Sequence, residues 1–145
     1  MRRVVLLPLL VALASCSVDT ELGLDATINA ASVTVAPDDS VSVSVDLTYR
    51  VGEHAEGARG FQPQAIELYV ADELVAPLVP MAPPGFVGTV SPGESIDATF
   101  AAPTDTATDP RRLCGAEVVV LFRWLDGSVM EIGMTDALTT DVTCS

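Results

Sequence analysis

The sequence predicts an all-β fold, an antiparallel sandwich of seven or eight short strands, and three observations carry that expectation. Residues 41–50 alternate strictly, with Val41, Val43, Val45, Leu47 and Tyr49 on one side and Ser42, Ser44, Asp46, Thr48 and Arg50 on the other. Turn signals rich in Pro, Gly and Asp recur at roughly the 8 to 12 residue spacing of sandwiches and barrels. No amphipathic helical period appears after the first fifteen residues. A closed barrel is the alternative arrangement of the same strands.

Taken in order, residues 27–35 alternate loosely up to Val33 and Val35, and Pro37, Asp38 and Asp39 form a turn that should pair this strand with 41–50. A polar loop is expected over residues 52–64, then a short strand through Ile66, Leu68 and Val70, a tight bend at 71–73 and a return through Leu74 and Val75. Pro77, Pro80, Pro83 and Pro84 lack the N–H that a central ladder needs, so this stretch predicts an edge or a crossing between sheets. Residues 86–90 and 95–101 are expected to form a second hairpin about the turn Ser91, Pro92, Gly93, Glu94. The run Val118 to Phe122 is apolar on both faces, as a central strand should be, and Asp126-Gly127 reads as a two-residue type I′ turn into a last strand starting at Ser128.

Composition sets limits on partners. The chain has 145 residues, 49% hydrophobic and 19% charged, which is enough apolar surface for one folded domain. Its formal charge is -13 and all its basic residues are Arg, so a nucleic acid partner is excluded on electrostatic grounds. The acidic residues are scattered, as on a solvated surface.

The amino terminus has the layout of an export signal. Arg2 and Arg3 precede an apolar run from Val4 to Leu13, which contains Pro8, is too short to span a bilayer and is followed by small residues. Leu13, Ala14, Ser15 and Cys16 resemble the lipobox of bacterial lipoprotein precursors. The resemblance implies a helical signal peptide over residues 1–15, cleavage before Cys16, diacylglycerol on its sulfur and a fatty acyl group on its amine. The ordinary secretory alternative cuts near Ala14 or Ser15 and leaves Cys16 a plain thiol. Two or three acyl chains make a stable anchor where one chain is marginal, so the implied partner is the membrane. Ser17 follows the cysteine where Asp would favour the inner membrane of enteric bacteria, which favours the outer membrane in a Gram-negative source.

The expected organisation is a signal peptide over 1–15, a lipidated cysteine and tether over 16–25, and a sandwich domain over 26–145. Losing Arg2 and Arg3 moves the formal charge from -13 to -15. With Cys16 acylated, Cys114 and Cys144 remain in an exported chain, and an oxidising compartment pairs them. A two-residue turn at Asp126-Gly127 would leave Cys114 five positions out of register with Cys144. The bridge therefore requires a break near residues 133–136 or a final segment that leaves the ladder.

The middle of the chain, an alternating strand followed by the Pro92, Gly93, Glu94 turn and a strand through Phe100, is similar to bacterial immunoglobulin-like and fibronectin III-like domains. It departs from antibody-type domains: Trp124 lies after Cys114, and no tyrosine corner is visible.

Chemistry is sparse. The single histidine, His54, shares the 52–64 loop with Glu53, Glu56, Arg59 and Phe61, and this set matches no zinc motif. No serine sits in a glycine-framed elbow, and aromatic content is 5%, too low to mark a carbohydrate cleft. Asp38, Asp39 and the acidic residues of 105–109 offer hard oxygen ligands for calcium but match no EF-hand spacing. No cofactor and no catalysis are expected. The expected role is structural or binding, toward another envelope protein, a surface polymer or a second copy. Its contacts are assigned to loops at one end of the sandwich: Glu53, His54, Glu56, Arg59, Phe61, Glu94 and Asp126. The alternatives are a small hydrolase with His54 as base and a calcium-dependent adhesion module.

Overall fold

A computed structural model describes residues 23–102 and 109–145. The signal segment, Cys16 and most of the 105–109 loop lie outside the described residues. Among the described residues, ten strands form two facing sheets: β1 (Leu24–Val35), β2 (Val41–Val51), β3 (Arg59–Val70), β4 (Glu73–Leu78), β5 (Thr89–Val90), β6 (Ser95–Ala102), β7 (Val118–Asp126), β8 (Glu131–Met134), β9 (Leu138–Thr140) and β10 (Val142–Cys144). The first sheet runs β10-β1-β2-β6. The second runs β4-β3-β7-β8, with β5 added to β3 and β9 to β7. This is the strand order of an immunoglobulin-like sandwich. Every pair is antiparallel except β1 with β10.

The alternation of 41–50 becomes β2, whose odd residues are buried and whose even residues face outward. It pairs with β1 across the expected turn, where Ala36 N–H donates to Ser40 O at 2.8 Å and Asp39 sits at φ 65°. Leu24 and Asp25, assigned to the tether, already belong to β1. The two sheets meet over an aromatic core. The Phe61 ring stacks on Tyr49 at 4.3 Å and lies 6.0 to 6.5 Å from Trp124, Phe122, Phe100 and Phe86. The apolar run at 118–122 lies in β7, an interior strand of the second sheet, with Val118, Val120 and Phe122 buried and Val119 and Leu121 half-buried on its outer face.

Four expectations change. Among the described residues the strands number ten because the carboxy-terminal segment divides into β8, β9 and β10, while the strand expected over 86–90 shrinks to the two-residue β5. The 52–64 loop ends at residue 58, since β3 starts at Arg59. Its inward residues, Phe61 and then Ile66 and Leu68, are put out of phase by an irregularity between Pro63 and Ala65, which hides the alternation and gives a proline a place in an interior strand.

The hairpin about residues 91–94 does not form. Phe86 turns into the core beside Phe100, β5 pairs with β3, and β6 pairs with β2, so the turn carries the chain from one sheet to the other.

The type I′ turn is not at Asp126-Gly127 either. The Asp126 carboxylate accepts from Arg59 Nη1 at 2.8 Å and from Ser128 N–H at 3.0 Å, and Gly127 N–H donates to Gly60 O at 2.8 Å. These bonds keep Asp126 in the ladder, and the chain reverses over residues 127–130 with Met130 at φ 57°. The two-residue hairpin at positive φ is Ala71-Asp72, joining β3 to β4.

Cys114 and Cys144 form a disulfide with Cα atoms 6.0 Å apart. The five-position mismatch expected from a two-residue turn is closed mainly by the longer reversal over residues 127–130, which sets Asp126 opposite Glu131 and moves the register four positions. The β7 partners shift by one position between β8 and β9 at a break over residues 135–137, where Thr135 both donates to and accepts from the Phe122 backbone. β10 then leaves β7 for β1, bringing Cys144 beside Val35.

Candidate binding end

Strand direction sorts the loops into two ends. At one end lie Gly23, the 52–58 loop, the 91–94 turn and the 127–130 turn. Gly52 N–H donates to Gly23 O at 3.1 Å, Val51 N–H to Glu94 O at 3.1 Å, Gly93 N–H to Val51 O at 3.0 Å, and Ser128 Oγ to Ala58 O at 3.5 Å. The three loops assigned to contact therefore share one end, and the described chain enters the domain there too.

The residues named from sequence divide into two groups. Glu53, His54 and Glu56 are exposed on the 52–58 loop. Glu94 is exposed, and its carboxylate accepts from Ser91 N–H at 2.8 Å, closing the turn. Arg59 and Asp126 are instead a partly buried ion pair that braces β3 against the end of β7, with the Asp126 side chain only 6% exposed. Phe61 is 1% exposed at the centre of the core and presents nothing to a partner. An aromatic residue in a run of Gly, Glu and Arg reads as a loop contact until the bulge at 64 restores it to the inward phase.

Two shallow hollows flank the loop. One, of about 370 Å³, lies between Glu53 and the 93–95 segment; the other, of about 450 Å³, lies between Glu56–Ala58 and Ser128–Val129. The carboxylates of Glu53, Glu56 and Glu94 make this end acidic, with Arg50 and Arg59 as the nearby cations. Among the described residues, no group of three His, Cys, Asp or Glu side chains is arranged to hold a metal ion. No helix among them is long and apolar enough to cross a membrane.

No protein-family model and no curated protein matches this chain. Function has to be argued from the site itself.

The opposite end is closed by polar bonds and the disulfide. Arg111 Nε pairs with Asp39 at 2.5 Å and its Nη2 donates to Ala36 O at 3.1 Å, while Arg112 pairs with Glu73 at 2.9 Å and holds that carboxyl below its ordinary range. Asp38 is likewise lowered by its bonds from Ser40. Both aspartates of the first hairpin are thus engaged with protein partners.

Three further features were missed from sequence. Tyr49 is fully buried with its hydroxyl donating to Val87 O at 2.7 Å, and desolvation, with Glu94 nearby, raises its pKa. On the outer face of the second sheet, the Glu67 carboxylate accepts from Tyr69 at 2.9 Å and pairs with Arg123 at 3.0 Å. The Tyr69 pKa is raised, chiefly by its bond to Glu67. Finally, Val129, Met130, Ile132 and Met134 are exposed in one short segment, four of the eight large hydrophobic side chains that are exposed among the described residues. The spacing of 130, 132 and 134 was the available signal for a one-sided apolar strand.

Proposed function

We propose that this chain is a lipid-tethered protein of the bacterial envelope whose single β-sandwich has a structural or binding role and no catalysis of its own. The observation that carries this reading is the Cys114–Cys144 bridge. Of three cysteines it uses two, leaving Cys16 as the third, at the end of a basic and then apolar leader that resembles a lipobox. A disulfide also accords with export to an oxidising space.

Six residues lie between Cys16 and Gly23, and seven steps of at most about 3.6 Å give a reach of roughly 25 Å. Because Gly23 enters beside Gly52, an acylated Cys16 holds the loop end toward the membrane and turns the disulfide end away from it. A partner bound by Glu53, His54, Glu56 or Glu94 is on this account another envelope component close to the bilayer surface, and the acidity of that end suits a cationic surface.

The hydrolase and calcium readings gain no comparable support. His54 is exposed on the same loop as Glu53 and Glu56, with no second histidine in the chain, and Asp38 and Asp39 are engaged with Ser40 and Arg111. Labelled palmitate should enter the wild-type precursor expressed in a bacterium and be absent from Cys16→Ala; equal labelling of the two refutes the anchor. A pull-down from native envelope that returns one partner for wild type and loses it in Glu53→Lys/Glu56→Lys supports the loop end, and retention by the variant counts against it.

A further inference from the structure

We infer that the tip of the β7–β8 hairpin is a second membrane contact, dipping Val129 and Met130 into the lipid surface; this rests on the anchored reading above. Val129 is 45% exposed, Met130 72%, Ile132 68% and Met134 49%. Thus the most exposed of the four side chains is in the turn, with a second close behind it on β8. Glu131, the charged residue among them, lies on the opposite side of the strand by alternation.

The lipid surface is favoured as occupant by the place where the chain enters. The turn shares its end of the sandwich with Gly23, through Gly127 on Gly60 and Ser128 on Ala58. The six residues between Cys16 and Gly23 let Gly23, on that same end, lie no more than roughly 25 Å from an acylated Cys16. A second copy is disfavoured by charge, because each mature chain carries -15 and the copies repel. The hairpin is also firmly held for insertion: Arg59 and Ser128 fix Asp126 at its base, and Trp124 packs against Gly133.

Insertion has a predicted depth profile. Met134 lies four residues behind Met130, roughly 13 Å along a strand rising about 3.3 Å per residue. An interfacial segment reaches only about 5 to 10 Å into the headgroup and acyl boundary. Met130 should be buried and Met134 should stay near the water. Glu53 and Glu56, on the neighbouring loop, make zwitterionic lipid a better surface than anionic lipid.

Methionine oxidation reads this directly in the lipid-carrying protein. Peroxide is applied with the protein reconstituted in phosphatidylcholine vesicles and again in vesicles containing phosphatidylglycerol, and each methionine is followed by peptide mass spectrometry. Met81, 54% exposed and bridged to Ala101 toward the other end, is the internal control. On phosphatidylcholine, Met130 oxidation should slow roughly fivefold, the factor for a tip inserted about four-fifths of the time. Met134 should slow less than about twofold, Met81 should not change, and protection should weaken on anionic vesicles. Met130→Asp, which suits the positive φ of that position, should still sediment with vesicles through Cys16 but lose any slowing at Met134.

If the protein sediments with vesicles while Met130 oxidises at its vesicle-free rate, the hairpin contact is wrong and the anchor stands. Equal protection of Met130 and Met134 that depends on protein concentration, without vesicles, assigns the stripe to a second copy and overturns the inference. Failure of the wild-type chain to sediment removes the anchor and the inference together.

Discussion

Phe61→Ala separates a core residue from a loop contact. The Phe61 ring is 1% exposed and has five aromatic neighbours within 6.5 Å, drawn from both sheets. Truncating a buried phenylalanine costs about 3 to 5 kcal/mol through lost transfer free energy and the cavity left behind. The stacked pair with Tyr49 at 4.3 Å favours the upper half of that range. For roughly 120 ordered residues, an unfolding entropy of about 2.1 cal/mol/K per residue gives ~0.25 kcal/mol/K, so a loss of ~4 kcal/mol lowers Tm by about 15 °C. Thermal unfolding by circular dichroism measures this, with Phe61→Leu expected to lose about a third as much and Glu56→Ala to stay within about 2 °C. A Phe61→Ala melt within about 3 °C of wild type would show that the ring is not packed between the sheets, and the core described here would be wrong.

Three further outcomes are expected. Reducing Cys114–Cys144, which closes a loop with a sequence separation of 30, should remove roughly 3 to 4 kcal/mol in the chain-entropy model; two thiols alkylated without reductant in the natively purified protein would refute the bridge. Gly133→Ala should cost about 2 to 3 kcal/mol, because a Cβ there runs into the buried Trp124 ring, a rigid neighbour; an unchanged melt would mean the ring does not cover that strand. Both tyrosines should ionise above their ordinary value near 10, seen in phenolate absorbance. Since the folded Tyr49 pKa is raised above the unfolded one, its contribution is complete below pH ~10 and is lost as pH climbs toward the folded value. Tyr49→Phe should flatten that alkaline loss, and an ordinary titration of both phenols would contradict their burial and bonding.

What could be read from the sequence followed from local pattern. The strict alternation of 41–50 could belong only to a half-buried strand, and β2 spans it with Val41, Val43, Val45 and Leu47 inward. The two-sided apolar run at 118–122 identified β7 as central, and the prolines at 77–84 identified an edge and a crossing, which β4 and the bridge from Met81 to Ala101 provide. The expected mismatch between Cys114 and Cys144 rested on a two-residue turn that does not form: the reversal over 127–130 supplies four of the five missing positions and the break near 135 the fifth, while β10 pairs with β1. Long-range bonds decided the rest. Asp126-Gly127 has the composition of a tight turn, yet Arg59, 67 residues away, draws Asp126 into the ladder, while the less typical Ala71-Asp72 takes the two-residue turn. Phe61 was hidden by one extra residue at 64, and the expected hairpin over 86–101 fails because Phe86 goes to the core and β5 and β6 join different sheets. At the candidate end, grouping of the three loops followed from strand direction, but the roles of Arg59, Phe61 and Asp126 depended on partners that no local window contains.

The anchor is tested most directly by the intact mass of the chain purified from its native membrane, with fragmentation at its amino terminus. The account predicts a chain that starts at Cys16, carries the added mass of a diacylglyceryl thioether and an amide-linked acyl group, and is two hydrogens lighter for the Cys114–Cys144 bridge. A chain that keeps residues 1–15, or one cut near Ala14 with an unmodified Cys16 thiol, would contradict it.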